Sequence, residues 1–405
     1  MSKTHVRNAS AKCLVLLISE TTSFECKIMS ERGAPFREMK LALGIENGQN
    51  SSAKHNLINR PHDRKELRSL ELNADSWNIM HEEFASITIQ IDERERPKLP
   101  GCSGKNRYGW PIHATRVHIQ EDEQQMQPTT SNTYPHGMGR RYINANYITD
   151  DTSERVFIAS EAPLESTLLD FWTMVFQERS PVIVMLTKLT EQHHNVQKEM
   201  SVKYFPEKAA VYGPFVVRLL HYRESFNCEI REFVIEKNDE KHVFRHYWFK
   251  NWEDQAVPGK GCTKWLVRIA ADVELYRKEH RETYSRTGPV IVHCCAGRGR
   301  SCTFIAMILA AQQLFQTGTV DVAYIVSKLR TQRLNAIDRP CHYAYIFNAL
   351  QYMDKIVPNY PTGKKFPPET FVKVMDAFEE ASGIGENVVD EPITGSSSIP
   401  NNFFF

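Results

Sequence analysis

A cysteine six residues ahead of an arginine, with two glycines between them, is the spacing in this chain best suited to chemistry: His293-Cys294-Cys295-Ala296-Gly297-Arg298-Gly299-Arg300-Ser301. A tight loop of that length wraps one tetrahedral oxyanion. Its backbone N–H groups turn inward, and Gly297 and Gly299 permit the close approach this requires. Arg300 closes the ring with a planar fork that takes two phosphate oxygens at once, a geometry lysine lacks. A thiol at a helix N-terminus, ringed by amides and an arginine, is expected to ionise readily and act as a nucleophile. Ser301 is placed to donate a hydrogen bond to the Cys294 sulfur and help it leave in a second step, and His293 joins the same catalytic group. A lone cysteine after a buried strand is usually an inert core residue. Here the whole set of residue types argues otherwise. Cys294, Cys295 and Cys302 do not form a tetrahedral ligand set, so neither a metal nor another cofactor is expected.

The elements that hold this loop are legible on either side. Pro289 to His293 is a short apolar strand and Ser301 to Phe315 a long apolar helix, and strand, loop and helix in that order present an anion to free N–H groups. Further strands are expected at Val182 to Leu186, Phe215 to Tyr222, Glu229 to Glu236 and Val243 to Phe249, with a hairpin turn at 237–240. Helices are expected at Thr167 to Gln177, Thr263 to Lys278, Val322 to Arg330 and Tyr343 to Lys355. Trp77, Met80, Phe84 and Ile87 recur at helical spacing behind a cap at Asp75 or Ser76. The fold class is α/β, a twisted mixed sheet flanked by helices. Residues 1–75 read as an arm ordered only in part, 76–358 as the catalytic domain, and 359–405 as one amphipathic helix with a flexible tail. The polar stretch from Gln120 to Gly139 reads as an exposed insertion.

Composition narrows the partners. Of 405 residues, 50 are Lys or Arg and 49 Asp or Glu, for a net charge of +1, so nothing points to nucleic acid or an anionic membrane. Any affinity for phosphate must be local. The early apolar run from Cys13 to Ile18 is too short to span a bilayer. Nine cysteines without CxxC pairs suit a reducing compartment, hence a cytoplasmic protein.

The loop resembles the signature of the phosphotyrosine-specific protein tyrosine phosphatases, His-Cys-Ser-Ala-Gly-x-Gly-Arg-Ser/Thr-Gly, with Cys295 and Cys302 as small replacements. The resemblance extends over roughly residues 77 to 358. Lys105-Asn106-Arg107-Tyr108 is similar to the family's phosphotyrosine loop, whose tyrosine stacks on the substrate ring and deepens the pocket. Tyr142-Ile143-Asn144-Ala145-Asn146-Tyr147 and Phe157-Ile158-Ala159 are family hallmarks, as are Asp170-Phe171-Trp172 and Met174-Val175. The resemblance implies hydrolysis of phosphotyrosine in proteins through a phosphocysteine on Cys294. It implies substrate binding by Tyr108, Cys295, Ala296, Gly297, Arg298, Gly299 and Arg300, and phosphotyrosine-containing proteins as partners.

A departing phenoxide needs a proton, so a carboxylic acid must reach it. The resemblance implies that Asp254 supplies it, from Trp252-Glu253-Asp254-Gln255-Ala256-Val257-Pro258, where the family has Trp-Pro-Asp. Glu253 replaces a rigid proline and Ala256 a glycine. A carboxylate next door either raises the acid's pKa or merely loosens the loop. The position of the family's water-orienting Gln is Asp338, and the second Gln becomes His342. At about 6 Å and an effective dielectric near 20, a carboxylate repels a phosphoryl charge by roughly 3 kcal/mol. Asp338 is then either a hindrance or a working base. Trp110 stands where the family carries an Asp that holds the substrate backbone. The rival to an enzyme is a phosphotyrosine-binding module with the same fold and little or no turnover, favoured by Glu253, Asp338 and His342.

Overall fold

Val182–Met185 and Val290–His293, apolar but for the terminal His293, have every residue buried, the pattern of strands covered on both faces. They lie at the centre of a computed structural model that describes residues 60–71, 73–87, 104–108, 116–120, 140–193, 196–225, 227–259 and 261–382. In chain order the elements begin with β1 (His62–Asp63), α1 (Arg64–Ser69), α2 (Ala74–Ser86), β2 (Arg116–Gln120), β3 (Arg140–Thr149) and β4 (Arg155–Ser160). Next come α3 (Leu168–Glu178), β5 (Val182–Met185), β6 (Thr190–His193), β7 (Val196–Glu199), β8 (Ala209–Tyr212), β9 (Phe215–Ser225), β10 (Cys228–Lys237) and β11 (Glu240–Phe249). The rest are α4 (Cys262–Thr283), β12 (Val290–His293), α5 (Gly299–Thr317), β13 (Thr319–Val320), α6 (Val322–Gln332), α7 (Pro340–Ile356) and α8 (Pro368–Ser382).

Nine strands form one mixed sheet in the order β2-β3-β4-β12-β5-β11-β10-β9-β8. The four central strands run parallel. The flanking pairs are antiparallel. The expected α/β class with a mixed sheet is therefore the observed one. Side chains alternate between the two faces with the period of two that a strand imposes. Val182, Val184, Val290 and Val292 pack with α4, α5 and α7, whereas Ile183, Met185 and Ile291 pack with Phe171 and Trp172 of α3. The helix after the loop, α5, is buried around most of its circumference, as the apolar run from Phe304 to Ala311 requires. It pins the loop between strand and helix.

The cap of α2 differs from expectation. Asn73 is the N-cap, accepting from the amides of Asp75 and Ser76, and Ser76 returns the bond to the Asn73 amide. Ser76 is thus the reciprocal member of a capping box. Residues 60–71 dock on α7, where Arg64 and Arg68 both hold the buried carboxylate of Asp354. Phe371 and Met375 of α8 bury against the core beside Phe315, and Arg268 of α4 pairs with Asp376 at 2.9 Å. Among the described residues no helix is long and apolar enough to cross a membrane. Trp110, the polar insertion at 121–139 and the tail beyond 382 lie outside the described residues.

Candidate active site

The loop from Cys294 to Arg298 joins the end of β12 to the start of α5, and Cys294, Cys295 and Arg300 are all buried. Gly297 sits at φ +65°, and a Cβ there would lie 2.0 Å from the Ser160 carbonyl oxygen of β4. Both facts demand glycine. Arg333, fully buried at the end of α6, braces the loop from beneath. It donates to the carbonyls of Gly297 and Ala296 and to the side chains of Asn146 (2.7 Å) and Asn144 (3.2 Å) on β3. Burial brings the Arg298 guanidinium down to about 10, with Arg333 adding to the effect against Asp338 and Glu161. Gly297→Ala is expected to cost about 1–3 kcal/mol from backbone strain alone and to abolish phosphate binding. A melting curve and a phosphate titration indistinguishable from those of the native chain would contradict this.

Arg300 gathers the second half of the site. Its Nη1 donates to Glu191 Oε1 at 2.8 Å and to the Trp252 carbonyl at 2.9 Å, and its Nη2 donates to Asp254 Oδ1 at 3.0 Å. Burial works against its charge, but Cys294, Asp254 and Glu191 together hold the guanidinium protonated above its ordinary range. Glu191 also accepts from the Asp254 amide at 2.8 Å, so one carboxylate fixes both the arginine and the acid loop. Trp252 is fully buried and donates its indole N–H to the Ala256 carbonyl at 2.8 Å. The left-handed residue of this loop is Gln255, at φ 59°, so position 256 accepts alanine in place of glycine. The Glu253 side chain turns towards solvent, 4.0 Å from Lys188. Asp254 therefore meets the phosphate loop despite both replacements.

Tyr108 forms the third side. Lys198 donates to its hydroxyl at 2.9 Å, and the same hydroxyl meets Cys295 Sγ at 3.1 Å. Its segment is tied down by Asn106, which accepts from Tyr142 (2.6 Å) and Asn144 (2.9 Å), and by the Arg107 amide, which donates to Glu161 (3.0 Å). Asn144, bonded to both Asn106 and Arg333, thus connects the tyrosine-bearing segment to the brace of the phosphate loop. Burial pushes the Cys295 thiol up to about 11 and Cys302 to about 12, so neither is a thiolate at neutral pH.

With this geometry in hand, comparison with known proteins is decisive. Residues 103–352 match the protein-tyrosine phosphatase family. The chain is 34% identical over 295 residues to human tyrosine-protein phosphatase non-receptor type 7, a stretch covering 73% of this chain and 76% of that protein. It is 34% identical over 290 residues to human receptor-type tyrosine-protein phosphatase R, covering 71% of this chain and 40% of that relative. It is 30% identical over 294 residues to rat tyrosine-protein phosphatase non-receptor type 5, covering 71% and 74%. This chain belongs to the protein-tyrosine phosphatase family. It spans about 40% of the length of the receptor-type relatives it matches.

Within the family's site, the structure brings together Cys294, Arg300, Asp254, Tyr108 and the loop from Cys295 to Gly299. Ser301 lies in the first turn of α5, buried with its Oγ unbonded, so the expected hydrogen bond to Cys294 Sγ is not formed. Asp338 and His342 crowd Gly299, where a Cβ would meet both at 2.8 Å. Burial raises the Asp338 carboxyl, but His342, Arg339 and a backbone hydrogen bond together outweigh this and hold it below the ordinary range.

His293 lies behind the nucleophile in a buried chain of polar groups. Its Nδ1 faces the Cys294 carbonyl at 3.3 Å, and a carbonyl only accepts, so Nδ1 carries the proton. Tyr204 then donates to His293 Nε2 at 2.7 Å and accepts from His246 Nε2 at 2.8 Å. Burial lowers His293 and His242 from the ordinary 6.5 to about 4, and drives His246 well below 6.5. A depressed histidine contributes its full stability above the unfolded value and loses it as pH falls from 6.5 towards 4. Each such shift is worth about 3 kcal/mol. Urea unfolding is therefore expected to weaken steeply between pH 6.5 and 4 with proton uptake, and a flat profile there would contradict the neutral assignment.

Glu191, Lys198, Arg333 and Tyr204 were not singled out by the motifs. Glu191 and Lys198 sit on the β6–β7 hairpin, whose Thr-Glu-Gln-His and Val-Gln-Lys-Glu strands lack the apolar alternation that marks a strand.

Proposed function

We propose that this chain hydrolyses phosphotyrosine in proteins. Cys294 attacks phosphorus while Arg300 and the loop amides hold the equatorial oxygens, the P–O bond breaks, and Asp254 protonates the departing phenol. Water then cleaves phosphocysteine, releasing phosphate and restoring the thiol. Tyr108 is assigned to stack on the phenyl ring of the substrate. The observation that supports this reading is the contact of Arg300 with the Asp254 carboxylate at 3.0 Å, which keeps that side chain at the phosphate loop. A module that only bound phosphotyrosine would have no use for that acid. The catalytic unit is taken as residues 76–358. The free cysteines of the loop suit the reducing cytoplasm.

The test is phosphate release by the purified chain from two peptides of identical sequence, one carrying phosphotyrosine and one phosphoserine. Release from the first alone is expected. Equal rates on both would sink the assignment to Tyr108, and binding without release would favour the module.

A further inference from the structure

Two donors converge on one backbone oxygen in the acid loop. The Ala256 carbonyl accepts from Trp252 Nε1 at 2.8 Å and from His342 Nε2 at 2.8 Å, which uses both of its lone pairs. The carbonyl only accepts, so His342 Nε2 bears a proton. Its Nδ1 is buried and faces Asp338 Oδ1 at 3.5 Å. The same short segment touches the loop twice more. Arg339 donates to the Gln255 side chain, and Cys341 Sγ approaches the Gln255 carbonyl at 3.8 Å. Gln255 is the left-handed, non-glycine residue of the loop, a conformation that persists only where neighbours enforce it. On the other side, Arg300 and Glu191 hold the Trp252 carbonyl and the Asp254 amide. Asp254 thus lies between two anchors, one on the phosphate loop and one on the start of α7.

We propose that His342 is a positioning residue for the acid. Its Nε2–H clamps the Ala256 carbonyl and so keeps Asp254 at Arg300. This assigns His342 to the first chemical step, whereas the residue it replaces in the family pattern belongs with the water of the second. The same contact answers the replacement of proline by Glu253: rigidity missing from the loop itself is supplied by a ring from α7, which also meets the Trp252 indole edge-on at 5.9 Å. The proposal rests on the phosphatase reading above, and its test keeps the two apart.

Two substitutions separate the hydrogen bond from the packing. His342→Phe keeps a ring against Trp252 and deletes the donor; His342→Gln keeps a donor and deletes the ring. The readout is kcat/KM, which reports only steps up to phenol release, on a phosphotyrosyl peptide and on 4-nitrophenyl phosphate, whose leaving group departs without a proton. Removing a general acid outright costs about 10²–10⁴-fold, so loosening it in His342→Phe is expected to cost the peptide about 10–30-fold. The nitrophenyl ester should lose far less, and His342→Gln should stay near wild type on both. Amide exchange of residues 251–258 should quicken in the Phe variant and not in the Gln variant. Equal losses on both substrates, or a Gln variant as impaired as Phe, would overturn the proposal. Wild type inactive on both esters would instead overturn the phosphatase reading, and unchanged exchange in His342→Phe would then dispose of the clamp as well.

Discussion

Cys294→Ser is expected to reduce turnover of a phosphotyrosyl peptide by about 10⁴-fold or more, the scale that follows removal of a covalent nucleophile. A serine hydroxyl in the same place is a far weaker nucleophile, because the thiolate and not the protonated form carries the attack. Binding should survive. Arg300 keeps its three partners, Arg333 still braces the carbonyls of Ala296 and Gly297, and neither set of contacts involves the sulfur. The variant should therefore hold phosphotyrosyl peptide with an affinity close to that of wild type. Calorimetry on the Ser variant together with a phosphate-release assay checks both halves. Loss of binding along with turnover would mean that the substitution had collapsed the loop, and retained turnover would remove Cys294 from the mechanism.

Asp254→Ala is expected to slow cleavage of the phosphotyrosyl peptide by about 10²–10⁴-fold. The phenol of tyrosine ionises near pH 10, so its oxygen leaves poorly unless protonated as the P–O bond breaks. A nitrophenyl ester should suffer much less. The split between the two substrates is what distinguishes an acid from a residue that merely shapes the loop. In the resting structure its carboxylate meets Arg300 and its amide is held by Glu191. Equal losses on the two esters would assign it the structural role alone.

Much of this site was legible because its chemistry is local in sequence. The loop from His293 to Ser301 is contiguous, its strand and helix follow directly, and Gly297 is required by a left-handed backbone that nothing else tolerates there. Asp254 was legible through Trp252 and Pro258 on either side. What escaped is held by contacts between distant segments. Glu191 anchors Arg300 from a hairpin polar on both faces, and Arg333 reaches the loop from the end of another helix. Tyr204 is a polar group buried against two histidines, which no amphipathic pattern reports. The replacements at 253, 256 and 342 read as separate departures in the linear chain. In space, Ala256 and His342 meet at one carbonyl, and Glu253 turns to solvent beside them.

The central claim is that the phosphoryl group passes through Cys294. The direct measurement is an acid quench during turnover of a phosphotyrosyl peptide labelled on phosphate, followed by proteolysis and location of the label. The account predicts label on the peptide carrying Cys294 in wild type, none in Cys294→Ser, and label retained longer where hydrolysis by water is slow. Steady phosphate release with no label on Cys294 at any quench time would contradict it.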